Sequence, residues 1–214
     1  MPLPPQTFPP LGDGSIATYD WRELSTGKGY KTFYGTDAVI SDAGIGAGEG
    51  PTALSLSEEA LYSYNYSTVG AAAALDKDFD ITFENPQTIQ GDIYLNIPMA
   101  FYTTIGPVNV SVNLDVKLFK VSGGVETQLG VTLGGDYLRS TPDNSYSWFM
   151  FAGKINVADP VVFAQGDSLR LNIISNTPGV SNKFIIFHSP VGFGTTSIIL
   201  STILKVHVPF RTNS

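Results

Sequence analysis

The sequence predicts an all-β protein built as an antiparallel β-sandwich, and three observations favour this fold class. Apolar and polar residues alternate with period two in several segments, as they do in strands with one buried face. Helical periodicity is almost absent from residue 15 onward. Clusters of Pro, Gly, Asn and Asp separate the alternating segments as turns would. Eight or more such strands are most commonly arranged as a jelly roll.

Residues 1–14 are expected to form an extended arm that is rich in proline. Proline fixes φ and has no N–H to donate, so this segment favours a polyproline conformation over a sheet ladder. One interpretation is an untethered terminus, and the other is an arm that docks on a neighbouring subunit through Leu3, Phe8 and Leu11. The segment has neither a basic region nor an apolar core, so we do not expect a signal peptide.

Residues 15–214 are expected to form a single sandwich domain, with residues 41–74 as a long excursion from it. Glycine occupies every second position from 44 to 50, which favours a flexible loop. Long loops of this kind often carry binding functions.

Three tyrosines alternate with small polar residues inside the excursion, which would place Tyr62, Tyr64 and Tyr66 on one face of a strand. Ordinary sheet packing is one explanation. A subunit contact is another, since tyrosine is enriched at interfaces, and a stacking platform for sugar rings is a third. The pattern alone leaves all three open.

The clearest strand covers residues 108–118, where every even-numbered residue is Val or Leu. It runs to Gly123 and Gly124, a pair suited to the positive φ angles of a two-residue hairpin turn. A turn there pairs Ser122 with Val125. The same register predicts three apolar pairs on one face: Leu118–Leu129, Val116–Val131 and Leu114–Leu133.

Further strands are predicted from the same alternation. Their inward residues are Phe79, Ile81 and Phe83; Ile93, Leu95 and Ile97; Phe149, Phe151, Ile155 and Val157; Leu169, Leu171 and Ile173; and Ile198, Leu200, Leu204, Val206 and Val208. The continuous apolar run 184–187 is typical of a strand buried on both faces.

Composition excludes several classes of function. The chain has 214 residues and no cysteine, so disulfides, thiolate metal sites and cysteine nucleophiles are excluded. The net charge of −7, with 12 scattered basic residues, argues against binding nucleic acid. No apolar run approaches the roughly 18 residues of a membrane span. We therefore expect a soluble protein without a membrane or nucleic-acid partner.

A Gly-Asp-Ser-Leu string at residues 166–169 matches the motif of a lipase and esterase family whose serine is the nucleophile. Here the string leads directly into a predicted strand, and neither His188 nor His207 has the setting of that family's general base. We interpret it as a turn in which Gly166 supplies the bend and Asp167 caps it. Both histidines lie within predicted strands and are expected to be half-buried structural residues.

No cofactor or metal site is predicted. The glycines of residues 44–50 do not fit a phosphate-binding loop, because the spacing is wrong and no lysine follows. The acidic residues form no calcium-loop pattern, although Asp13, Asp76, Asp78 and Asp80 leave room for an ion held between loops. With no catalytic constellation in view, we do not expect an enzyme.

The proline-rich arm, the glycine-rich excursion and a β-domain that includes Phe163 to Ile173 together resemble the jelly-roll decoration, or cement, proteins of tailed bacteriophage heads. The resemblance covers residues 75–210. It implies a non-catalytic virion protein that binds the capsid lattice, often as a trimer or dimer, and reinforces it. Terminal arms in that group commonly reach to neighbouring subunits.

The implied partners are the major capsid protein and further copies of the chain, on the outer surface of the capsid. Only 14% of the residues are charged, so much of the surface can be buried in contacts without desolvating many ions. Two alternatives remain open. One is a receptor- or carbohydrate-binding sandwich from a phage tail or a secreted protein, and the other is a single jelly-roll major capsid protein of a tailless virus.

Overall fold

The computed structural model describes residues 28–37, 52–56, 66–69, 74–103, 108–141, 145–176, 182–187 and 204–211. Eleven strands make up nearly all of these ranges: β1 (Lys28–Asp37), β2 (Thr52–Ser55), β3 (Tyr66–Val69), β4 (Ala74–Thr82), β5 (Gln87–Thr103), β6 (Val108–Ser122), β7 (Val125–Thr141), β8 (Ser145–Phe163), β9 (Ser168–Asn176), β10 (Asn182–Phe187) and β11 (Lys205–Arg211). These ranges contain no helix, and hence none that is long and apolar enough to cross a membrane.

The first layer of the sandwich is built around the long strand β5. Strand β8 pairs antiparallel with β5 along its whole length. The opposite edge of β5 is shared by β10 and β11, which lie end to end. Strand β3 extends the layer beyond β10, and β1 extends it beyond β11.

The second layer contains β4, β9, β6 and β7 in that order, all antiparallel. Strand β2 joins the two layers, since it pairs antiparallel with β1 and parallel with β4. The β2–β4 ladder is short and consists of Thr52–Phe79 and Ala53–Asp80. All eleven strands therefore form one continuous sheet folded into two layers. The predicted all-β sandwich is confirmed.

The core lies between the two layers and consists of the inward residues of both. Its largest fully buried side chains include Phe33, Phe79, Phe101, Phe163, Ile93, Leu95, Leu114 and Leu118. The inward residues predicted for β5 and β9 are all buried, as are Leu204, Val206 and Val208 at β11. Alternation along these strands thus identifies the buried face correctly, while Ile198 and Leu200 lie outside the described residues.

The predicted hairpin forms, but its register is correct only near the turn. Gly123 and Gly124 have φ of 56° and 82°, and the Ser122–Val125 and Leu118–Leu129 pairs are present. Beyond them the ladder shifts by two residues. Val116 pairs with Leu133 and Leu114 with Gly135, so the predicted pairs Val116–Val131 and Leu114–Leu133 are wrong.

The shift is located at Gly130, which has φ of 65°, a conformation that favours glycine. A Cβ at this position would lie 2.5 Å from Ile155 Cγ2 and 2.7 Å from the Asn156 carbonyl oxygen on β8. The backbone of β7 therefore bulges where it approaches β8, and the extra residues include the exposed Val131.

The sequence predicts that residues 41–74 form an excursion from the sandwich. Two segments of this range, β2 and β3, are instead strands of the sheet, and β2 connects the two layers. These strands have only four residues each and lie among polar and alanine-rich segments, so their sequences show no clear alternation of apolar and polar residues. Residues 1–14, predicted to be the arm, lie outside the described residues.

Candidate functional site

Most of the predicted contact residues fall where the structure gives no description. Outside the described residues lie Leu3, Phe8, Leu11, Asp13, Tyr62, Tyr64 and His188. Tyr66 is the first residue of β3, where its backbone is opposite Phe187 of β10. The proposed contacts of the arm and the shared strand face of the three tyrosines therefore stay predictions.

The two long strands β7 and β8 leave backbone edges available. Among the described strands, β7 pairs only with β6, and β8 pairs only with β5. Each strand spans more than 15 residues, well above the usual strand length of about 5–6. Long edge strands present rows of N–H and C=O groups that can pair with another chain.

Large apolar side chains are exposed along the same two strands, with exposed fractions between 41% and 66%: Val125, Val131 and Leu138 on β7, and Met150 and Val162 on β8. We call these five residues the β7/β8 apolar surface. Met150 and Val162 alternate with the inward residues Phe149, Phe151 and Phe163, so the sequence places them outward. For Val131, however, the predicted register gave the wrong face.

The surface is held by close packing of β7 across β8. A Cβ at Gly153 would lie 2.7 Å from Leu133 Cδ1, so the glycine is what lets this leucine reach the backbone of β8. Farther along, the Tyr137 ring stacks on Phe149 at 5.9 Å and meets Phe151 edge-on at 6.1 Å. The strands that bear the exposed apolar side chains are thus held in position by the packing of inward β7 side chains against β8.

The Gly-Asp-Ser-Leu string forms the turn between β8 and β9, as predicted. Gly166 has φ of 88°. Asp167 closes the turn, because its Oδ2 accepts a 2.8 Å hydrogen bond from the Ala164 N–H. The Ser168 hydroxyl is 2.8 Å from the Thr82 hydroxyl on β4, so it forms a cross-strand pair. The turn interpretation is confirmed.

Asp167 also anchors one end of the sandwich. Hydrogen bonds from Ser122, from the Ala164 N–H and from Lys120 lower the pKa of this carboxyl to about 2. The Lys120 ammonium lies 3.0 Å from Asp167 Oδ2 and donates to the Val162 carbonyl oxygen at 2.7 Å. One lysine therefore links β6, β8 and the turn.

The three aspartates of β4 face Arg170 and Asn172 of β9, which donate hydrogen bonds to them. Arg170 donates to both carboxylate oxygens of Asp80, at 2.8 and 2.6 Å, and pairs with Asp78 at 2.8 Å. The Asn172 amide donates to Asp76 and Asp78, at 2.7 Å each. The described residues contain no group of three or more His, Asp or Glu that could hold a metal ion.

His207 is half-buried in β11, as predicted. Its Nδ1 lies 2.8 Å from the Thr32 hydroxyl on β1. Burial, with a smaller effect from Lys205, lowers the pKa of the imidazole. Both effects favour the neutral form of the imidazole.

Comparison with known proteins identifies no family. No protein-family description matches the chain, and no curated protein matches it. Solved structures do match its shape. An α-amino acid ester hydrolase is 12% identical with a TM-score of 0.51, over 85% of this chain and 36% of the hydrolase.

An aminopeptidase from a marine sediment Thaumarchaeota archaeon is 9% identical with a TM-score of 0.49, over 90% of this chain and 38% of the other. The VP2 subviral particle of infectious bursal disease virus is 13% identical with a TM-score of 0.26, over 88% of this chain and 58% of the other. The chain thus spans little more than a third of the two hydrolytic enzymes. At these identities, the likeness to the ester hydrolase shows a shared β-sandwich fold alone.

Proposed function

We propose that this chain is a non-enzymatic virion structural protein, a decoration protein that binds the outer surface of a capsid and stabilises it through intersubunit contacts. The β7/β8 apolar surface is the observation that carries the proposal. The five residues are spread along β7 and β8, and exposed apolar side chains beside unpaired strand edges are available for a protein contact.

Burial of these side chains supplies the energy that such a contact needs. Fully burying one Val, Leu or Met contributes about 1.5–3 kcal/mol. The cost of desolvating charged groups around these side chains is expected to be small, because only 14% of the residues in the chain are charged. The proposed partners are the major capsid protein and other copies of this chain, assembled as a trimer or dimer. The net charge of −7 favours a position away from the genome.

The test is cosedimentation of the purified chain with capsids of the virus that encodes it. Leu138→Lys places a charge on the β7/β8 apolar surface and is expected to weaken binding at least tenfold. Leu56→Lys makes the same change at an exposed leucine next to β2, outside β7 and β8, and should bind as the wild type does. Absence of the chain from purified virions, or equal binding of all three proteins, would contradict the proposal.

Deletion of residues 1–14 tests the arm separately. The deleted chain should keep its folded sandwich, as judged by circular dichroism, but bind capsids more weakly. Binding at wild-type strength would show that the arm makes no capsid contact.

A further inference from the structure

The outward face of the first layer carries a row of polar and aromatic side chains across four strands. Register places Thr32 of β1 beside His207 of β11, His207 beside Tyr94 of β5, and Tyr94 beside Lys154 of β8. Together with the flanking Tyr30 and Asp92, these residues define what we call the tyrosine face: Tyr30, Thr32, Asp92, Tyr94, Lys154 and His207. This face shares no residue with the β7/β8 apolar surface.

Two aromatic rings form a platform on this face. The centroids of Tyr30 and Tyr94 are 6.3 Å apart, and their planes are inclined by 38°. Tyr94 is 44% exposed although it lies in the most central strand of the layer. An outward tyrosine in such a position presents a ring face and a hydroxyl to any molecule that reaches the sheet.

Hydrogen-bonding groups beside the platform are held in fixed positions. Asp92 accepts hydrogen bonds from the Asn156 amide at 2.6 Å and from the Lys154 ammonium at 3.1 Å. These two donors also lower the pKa of Asp92, so the carboxylate is ionised and oriented. A carboxylate has about four lone-pair positions, so two donors leave it able to accept from a ligand hydroxyl.

The charges on the face balance one another. Asp92 and Lys154 form an ion pair, and partial burial disfavours a positive charge on His207. Lys205 lies two residues before His207 in β11, and its ammonium is 5.6 Å from the centre of the Tyr34 ring. Phosphate-rich ligands need clustered cations, and a buried protein contact favours a more apolar centre. The arrangement instead suits a neutral molecule with both apolar C–H surface and many hydroxyls.

We propose that the tyrosine face is a binding site for a neutral carbohydrate. The apolar face of a pyranose ring stacks on Tyr94, with Tyr30 at its side, while ring hydroxyls donate to Asp92 and accept from Lys154. The site does not depend on assembly, so an isolated chain binds the sugar. This adds glycan recognition to a protein proposed to act as a structural component.

The experiment uses the full chain on an array of neutral oligosaccharides that includes cellohexaose, maltohexaose and chitohexaose, followed by titration calorimetry on the best ligand. Saturable binding is expected. Tyr94→Ala should weaken it about tenfold or more, because the stacked ring is lost. Tyr94→Phe keeps the ring and should stay within about threefold of the wild type.

Leu138→Ala, on the β7/β8 apolar surface, serves as the control and should bind the sugar normally. Circular dichroism checks that each variant is folded, which is expected because Tyr94 and Leu138 are both exposed. No saturable binding on the array would overturn the proposal, as would equal affinity of the wild type and Tyr94→Ala. Neither outcome bears on capsid binding, so the two proposals fail independently.

Discussion

Replacing Gly134 by alanine is expected to destabilise the fold much more than the same change at Gly135. Both glycines lie in β7, and their φ angles are similar, 149° and 143°. Their surroundings differ sharply. A Cβ at Gly134 would collide with the Leu114 carbonyl oxygen of β6, whereas a Cβ at Gly135 would meet nothing within 4 Å.

The expected magnitudes follow from these contacts. The positive φ costs alanine about 1–3 kcal/mol at either position. At Gly134 the backbone of β6 must also move, which costs about 0.5–1.5 kcal/mol for a lost ladder hydrogen bond and about 1–3 kcal/mol for displaced core packing beside Leu114. The difference in the free energy of unfolding between the two variants is therefore about 1.5–4.5 kcal/mol.

Urea unfolding, followed by tryptophan and tyrosine fluorescence, measures this difference if the slope of unfolding free energy against urea concentration is unchanged. Gly135→Ala is the matched control, because it carries the φ cost without the collision. Equal destabilisation of the two variants, within about 0.5 kcal/mol, would refute the assumption that the close approach of β7 to β6 is what requires Gly134.

Two further predictions concern charged groups. Because the pKa of Asp167 is about 2 in the fold and 3.8 is its ordinary value, its stabilising effect is present above pH 4 and is lost as the pH falls from about 4 to 2. The melting temperature of Asp167→Asn should fall less steeply over that range than that of the wild type, while the exposed control Asp159→Asn should follow the wild type; parallel curves for wild type and Asp167→Asn would be evidence against this role. Arg170→Met removes the hydrogen bonds to Asp80 and the 2.6 Å pair with Glu126 of β7, and should cost about 1–3 kcal/mol at low salt in urea unfolding. The loss should shrink in 1 M NaCl, and a loss that does not respond to salt would contradict an ionic origin.

The hairpin of β6 and β7 shows how far alternation predicts register. Near the turn, local residues decide the pairing, since two glycines with positive φ fix Ser122 opposite Val125. Beyond Gly130 the decision comes from β8, because Asn156 leaves no room for a side chain there. A close approach to the backbone of a strand outside the hairpin leaves no trace in a period-two pattern.

The candidate surfaces were harder to predict than the core. The sequence pattern leaves room for an ion between loops at Asp76, Asp78 and Asp80, but it does not reveal that Arg170 and Asn172 of β9 lie beside these aspartates. The tyrosine face likewise needs Tyr30 and Tyr94, 64 positions apart, to meet across β11. Such groups are products of topology, and single-sequence patterns describe only one strand at a time.

The central position of β11 has a consequence for how the chain is made. Residues 205–211 pair with β5, whose last residue is synthesised roughly 100 residues earlier, about 5–20 s at ordinary elongation rates. During that interval β5 cannot complete its ladder, and Phe33 lacks the strand beside it. Folding of the first layer is therefore expected to finish only after synthesis of β11, and to depend on slow pairing between the two ends of the chain.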